Sequence, residues 1–217
     1  MAFNDAYDDY EQSEYVRQWL RANAAAIIGG IVLGLLVIFG LHTWRTHQAT
    51  HRMEAASHYA QMQAAVESGN TKAAASVAAV LQDQYKDTPF AVFAAMQKAR
   101  LASDADKPAD AVRDLAWARQ HAGDEAIKSL IALRSARLEL AQGHADKALA
   151  QLDALPAKDY QATVLELRGD ALVALKRDTD ARKTYEQALA AYDPASPQRS
   201  LVQIKLDNLA AAGKQGT

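Results

Sequence analysis

The sequence predicts an all-α protein: a single transmembrane helix, followed by an α-solenoid of about four helical hairpins and a C-terminal capping helix. Three observations carry this. Alanine supplies 48 of the 217 residues against ten Gly and five Pro, and because Ala costs least in a helix and lets helices approach closely, the composition suits packed helices better than a β-sandwich. Residues 22–44 form an apolar run without Asp, Glu, Lys or Arg. Beyond that run, a turn followed five residues later by alanine recurs along the chain. Half of the residues are hydrophobic, yet the mean hydropathy is negative, so the apolar content must be concentrated in one segment and diluted by small side chains elsewhere.

The balance of 24 Lys+Arg against 26 Asp+Glu excludes a strongly basic nucleic-acid binder and an acidic disordered chain, so no nucleic acid is expected as a partner. The absence of cysteine excludes a disulfide framework, a zinc ribbon and a thiol nucleophile. No G-x-S-x-G, phosphate-binding glycine loop or H-E-x-x-H occurs, and neither an enzyme nor a cofactor is expected.

The N-terminal stretch, 1–21, is an acidic tail. Up to Asn23, five carboxylates against Arg17 and Arg21 leave −3, whereas the chain from Arg45 onward carries +1. Two readings stand for this tail: a solvated, poorly ordered segment, or a partner-binding helix through Tyr15, Val16, Trp19 and Leu20.

Residues 22–44 are long enough to span a bilayer, which takes about 20 apolar residues. Trp19 and Trp44 bracket the run at a helical separation of roughly 37 Å, suited to two interfacial aromatic belts. A cleaved signal peptide fits less well, because the run exceeds a typical signal core and no clear small-x-small cleavage site follows. Contact with membrane lipid is therefore expected. Orientation stays open, since Arg17 and Arg21 on one side match Arg45 and Arg52 on the other. Ala26, Gly30 and Gly34 form a small-xxx-small packing face that serves a homodimer or a heteromeric contact equally well. Nothing between Trp44 and Val66 breaks a helix, so the membrane helix is expected to run into the first hairpin.

From 45 to 212 the hydrophobic pattern is helical, with hairpins expected at about 52–85, 89–121, 125–155 and 159–192. The turns pair Gly69 with Ala74, Asp106 with Ala111, Gly143 with Ala148 and Lys176 with Ala181. In the last copy Leu165 and Gly169 precede the turn, and Ala181, Tyr185, Ala188 and Pro194 follow it. This copy resembles the tetratricopeptide repeat, two antiparallel helices in about 34 residues, in which small residues sit where the helices cross and Tyr185 fills the gap to the next hairpin. Ser196-Pro197 opens a closing helix whose stripe of Val202, Leu206 and Leu209 caps the end of the solenoid. Residues 213–217 read as a disordered C-terminus.

Hairpin repeats bind partner segments on the face lined by their first helices. Tyr59, Phe93, Met96, Arg100, Leu130, Leu133, Arg137, Glu166 and Asp170 are the candidate groove residues, although Leu and Met at helical spacing also suit a core. His47, His51, Glu54 and His58 share one helix face, but about 16 Å separates the outer pair, so a polar juxtamembrane face is the stronger reading and no metal site is expected. His121 and His144 are expected in solvent near turns.

The block YEQSEYVRQWLRANAAAIIGGIVLGLLVIFGLHTWRTHQ, the block LRGDALVALKRDTDARKTYEQAL and the ending VQIKLDNL together resemble the YfgM family, the ancillary subunit of the bacterial SecYEG translocon. The resemblance implies a single-pass inner-membrane protein with a cytoplasmic N-terminus and a periplasmic repeat domain. It further implies association with SecYEG and with the periplasmic chaperone PpiD, and a chaperone or adaptor role toward exported client polypeptides. The alternative is an assembly scaffold acting mainly through the membrane helix and tail.

Overall fold

A computed structural model describes the backbone of residues 5–156 and 158–215, and side chains within 16–211. The chain divides into two compact units, Met1–Met53 and Glu54–Thr217. Helix α1 (Asp5–Glu67) forms the first unit and contributes its last turns to the second. Its backbone is already helical in the acidic tail, where the side chains of Tyr7, Tyr10 and Tyr15 lie outside the described residues. Within α1 is the one segment, among the described residues, long and apolar enough to cross a membrane. Val16, Trp19 and Leu20 are exposed, as are the large apolar side chains from Ile28 to Trp44.

The second unit continues as α2 (Thr71–Gln84), α3 (Pro89–Asp104), α4 (Pro108–His121), α5 (Glu125–Ala141), α6 (Ala145–Asp153), α7 (Gln161–Ala174), α8 (Asp178–Ala191) and α9 (Pro197–Gln215). No strand occurs among the described residues. From α2 onward each helix packs on the next, and α5 also meets α7. The last turns of α1 pair with α2, and α3–α4, α5–α6 and α7–α8 follow as hairpins. Helix α9 extends to Gln215, past the start of the expected disordered end, because Gly213 alone does not terminate a helix; 216 and 217 lie outside the described residues.

The four hairpins turn by the same device. Gly69, Asp106, Gly143 and Lys176 all have positive φ, between 56° and 79°. At each, the next residue's N–H reaches the carbonyl five positions back: Asn70 to Ala65 and Lys107 to Ala102 at 2.8 Å, His144 to Glu139 at 2.9 Å, and Arg177 to Leu172 at 2.8 Å. A second bond from the turning residue itself, such as Gly143 N to Leu140 O at 3.0 Å, completes a Schellman cap. Five residues on, Ala74, Ala111, Ala148 and Ala181 are buried, because the reversed chain brings the second helix against the first at that point. Four residues later, Ala78, Leu115, Leu152 and Tyr185 are buried in turn.

Glycine reaches the left-handed region without a Cβ clash, whereas other residues are held there at a cost of roughly 1–2 kcal/mol. Asp106→Gly and Lys176→Gly are therefore expected to raise stability by about 0.5–1 kcal/mol each, less than the strain relieved because glycine also loosens the unfolded chain. Gly143→Ala should lower it by a similar amount. Thermal melts of the full chain in detergent check both signs, and a loss of stability in Asp106→Gly would contradict the shared cap.

Packing and polar ties share the work between hairpins. Around the first turn, Ala55 and Met62 of α1 bury against Ala74, Ala78 and Leu81. Lys98 of α3 donates to Asp114 of α4 at 3.0 Å and to Gln82 of α2 at 3.3 Å, so one ammonium joins three helices around a buried carboxylate. At the far end, Val202 and Leu209 of α9 bury against Leu172, Tyr185 and Ala188, with Leu206 partly buried beside them. This covers the apolar end face of the solenoid. The Ser196 hydroxyl donates to Gln198 Oε1 at 2.7 Å.

Candidate protein-binding face

The first helices of the hairpins form one face, and the nine candidate groove residues fall on it in three environments. At its start Tyr59 lies half-buried, with its ring 5.9 Å from Phe90 and 6.3 Å from Phe93. Phe93 and Leu130 are partly buried against the core formed by α3, α4 and α5. These three combine apolar surface with access to solvent. Met96 and Leu133 do not, at 3% and 4% exposed: each lies one turn before Arg100 or Arg137 on the same side of its helix, but packs into the core clusters with the neighbouring helices. They belong to the core.

Arg100 and Arg137 are exposed, and Arg134, which repeat spacing did not single out, joins them. The three guanidiniums border an open cavity of about 320 Å³ between α3 and α5, with Met96, Leu115 and Leu138 in its wall. Arg100 meets Asp104 at 3.7 Å, both largely in solvent, where such a pair stabilises little. Although Arg134 reaches solvent, its guanidinium is pushed below the ordinary arginine range, first by partial desolvation and then by the positive charges of Arg137 and Arg100.

Glu166 and Asp170 are bound within the chain. Lys205 of α9 donates to Glu166 at 2.8 Å and to Asp170 at 2.7 Å. The Tyr192 hydroxyl donates to Glu166 and the Tyr185 hydroxyl to Asp170, each at 2.7 Å. These carboxylates hold the capping helix on α7, which closes the groove at its C-terminal end. Sequence reasoning placed them on the correct helix and missed their partners, because Lys205 lies 35 and 39 residues away and no local spacing pairs them.

Burial is the main cause that pushes the Tyr192 phenol up to about 12; donation to Glu166 adds to this and a hydrogen bond with Thr163 opposes it. The same causes, burial and then Asp170, raise Tyr185. For Lys205, partial burial pulls downward, but Asp170 and Glu166 outweigh it and the net direction is up. All three groups hold their protons more tightly in the folded state than in the unfolded chain. Their contribution is complete below about pH 10 and is lost as pH rises toward 12. Melting of the full chain should therefore show no loss from this cluster between pH 7 and 9 and a decline above 10. Lys205→Met with Tyr192→Phe should flatten that decline, and an unchanged decline would show that other groups cause it.

Of the juxtamembrane residues, Glu54 and His58 serve the first hairpin. Tyr85 donates to Glu54 at 3.3 Å, and the His58 ring tilts against Tyr85 at 5.4 Å. Among the described residues, no group of three or more His, Asp or Glu can hold a metal ion. His144 is exposed and bonds Glu139 at 2.9 Å. His121 differs from expectation: it is half-buried, stacked on Trp117 at 3.9 Å, because the α4 terminus folds the ring back over the preceding turn. In α1, Ala26, Gly30 and Gly34 are exposed, and a Cβ added at either glycine meets nothing within 4 Å.

Comparison with known proteins agrees with this architecture. Residues 17–211 match the family model described as a tetratricopeptide repeat-like domain. Three relatives are each named ancillary SecYEG translocon subunit. The chain is 31% identical to the Neisseria gonorrhoeae protein, over 82% of this chain and 86% of that one. It is 29% identical to the Haemophilus influenzae protein, over 94% and 100% respectively. The Escherichia coli K12 protein is 28% identical over 93% of this chain and 97% of its own length. The matched stretch takes in the long apolar helix, the four hairpins and most of the capping helix of this chain and covers 86–100% of each relative, and the chain belongs to the tetratricopeptide repeat-like family of ancillary SecYEG translocon subunits.

Proposed function

We propose that the protein is a single-pass inner-membrane adaptor of the SecYEG translocon whose repeat domain stands in the periplasm and binds exported polypeptides as a chaperone. The observation that carries this reading is the near full-length match to relatives named ancillary SecYEG translocon subunits. In this reading the apolar run of α1 crosses the membrane with the acidic tail in the cytoplasm, and the open Ala26, Gly30 and Gly34 face docks on a neighbouring membrane helix. The binding surface is the α1–α3–α5 part of the face, where Tyr59, Phe93 and Leu130 offer apolar contacts and Arg100 and Arg137 offer charge. PpiD is a partner on the same side. The protein works by binding: Glu166 and Asp170 are engaged by α9 and take no part in a reaction.

Site-specific photo-crosslinking in membranes tests the proposal. Probes at Phe93 and Leu130 should capture exported chains or PpiD, and probes at Ala26 or Gly34 should capture translocon subunits. Capture from the membrane positions with none from Phe93 and Leu130 would replace the chaperone reading with that of an assembly scaffold. Capture of a second copy at Gly34 would make that face a homodimer contact.

A further inference from the structure

We propose that the cleft between α3 and α5 selects acidic, extended polypeptide segments, seating an apolar side chain in the cavity with flanking carboxylates on Arg100, Arg134 and Arg137. This rests on the reading of the repeat domain as a polypeptide-binding module and names the chemistry of its ligand.

The argument from charge comes first. Three arginines converge here on a domain whose net charge is close to neutral, so the cluster is local rather than part of a basic surface. Arg134 and Arg137 lie three apart on α5 and so share a helix face, while Arg100 approaches from α3. Among the described residues, neither Arg134 nor Arg137 has a hydrogen bond or an ion pair, and Arg100 has only its exposed pair with Asp104. At the C-terminal end of the same face the charged groups are engaged within the chain: Lys205 serves both Glu166 and Asp170. Like charges held together cost free energy that an anion removes, and the partial desolvation of Arg134 strengthens the attraction to one. Guanidinium forks match carboxylate geometry.

The cavity narrows the ligand further. Its wall carries Met96, Leu115 and Leu138 beneath the arginines, and about 320 Å³ accommodates a side chain of leucine or methionine size. A bare phosphate or a polyanion would leave that apolar wall in water. A peptide alternating acidic and apolar residues fills both parts at once, and an extended backbone sends successive side chains to opposite sides, so carboxylates two apart flank the arginine rim while others turn inward.

Fluorescence anisotropy with the full chain in detergent micelles decides the matter. Three labelled, N-acetylated and C-amidated peptides of equal length are compared, alternating Leu with Glu, Gln or Lys. The Glu peptide should bind about tenfold more tightly than the Gln peptide at low ionic strength, and its advantage should shrink as salt is added. Arg134→Gln with Arg137→Gln should abolish the advantage by lowering Glu-peptide affinity to that of the Gln peptide; both side chains are exposed, so the melting temperature should hold. Equal binding of Glu and Gln peptides, or preference for Lys, would overturn the acidic selectivity while leaving polypeptide binding intact. Competition by inorganic phosphate at matched ionic strength as effective as by unlabelled Glu peptide would also overturn it. Failure of all three peptides to bind, together with no crosslinking from Phe93, would remove the binding-module reading itself.

Discussion

Gly169→Ala is expected to destabilise the repeat domain by about 1–3 kcal/mol net of its propensity gain, the opposite of what this substitution does in an ordinary helix. Alanine has the higher helix propensity by about 1 kcal/mol, so an unconstrained position gains from it. At 169 the added Cβ would lie under 3 Å from Cδ1, Cε1 and Cζ of Tyr185. That ring cannot swing aside cheaply: it is 2% exposed, packed with Leu172, Ala181 and Ala188, and its hydroxyl donates to Asp170. Overpacking of this kind costs about 1–3 kcal/mol, and a displaced ring also loses its hydrogen bond, about 1 kcal/mol. For a domain of this size the melting temperature should fall by roughly 3–9 °C. Tyr185→Leu removes the obstructing ring, so Gly169→Ala should cost far less in that background, with a coupling above about 1.5 kcal/mol between the two sites. Additive effects, or a rise in melting temperature for Gly169→Ala alone, would show that α7 and α8 do not cross at this glycine.

The close crossing of helices at Gly169 was legible in the sequence because repeat periodicity reports on what lies within one hairpin, whereas Tyr185 was expected to face the next hairpin and instead also packs on Gly169 inside its own. Turn and alanine recur five apart, and the reversal that this spacing implies was found at all four turns in the same left-handed conformation, whether Gly, Asp or Lys occupies it. Rotational phase was harder to read. Tyr59, Met96, Leu133 and Glu166 occupy one register in the four copies, yet Met96 and Leu133 are buried while Tyr59 and Glu166 are half-exposed. The divergent side chains around them tilt each position toward core or solvent, and spacing does not encode that tilt. Arg134 was invisible for a related reason: its counterparts in the second and fourth copies are Gln97 and Leu167, so it marks no repeat. Its importance comes from Arg137, one turn on along α5, and from Arg100, which only the packing of α3 beside α5 brings near. The Asp114–Lys98 tie was missed likewise, since the sequence does not show that Asp114 is buried.

Lys205→Glu tests the other end of the face, and its expected result is release of α9 from α7. In the native arrangement one ammonium lies at 2.8 Å from Glu166 and 2.7 Å from Asp170, both partly buried. Reversing its charge puts three carboxylates where two were neutralised. Removing one partner of a fully buried pair costs about 3–5 kcal/mol, and partial exposure here reduces that; the added repulsion restores it, for a net loss of about 3 kcal/mol in docking. Hydrophobic contact opposes release, because Val202 is fully buried and Leu209 nearly so, which makes Lys205→Met the informative companion: it keeps the aliphatic stem, leaves two carboxylates that water can still reach, and should cost about 1–2 kcal/mol. Limited proteolysis reports the order directly, since cleavage in the segment between α8 and α9, around 192–196, should accelerate from native to Lys205→Met to Lys205→Glu. Cleavage at the native rate in Lys205→Glu would mean that apolar packing alone holds the cap. If release instead increases capture of polypeptide by the freed Glu166 and Asp170, those carboxylates accept basic segments beside a cleft selecting acidic ones, and α9 sets how much of the face a client can occupy.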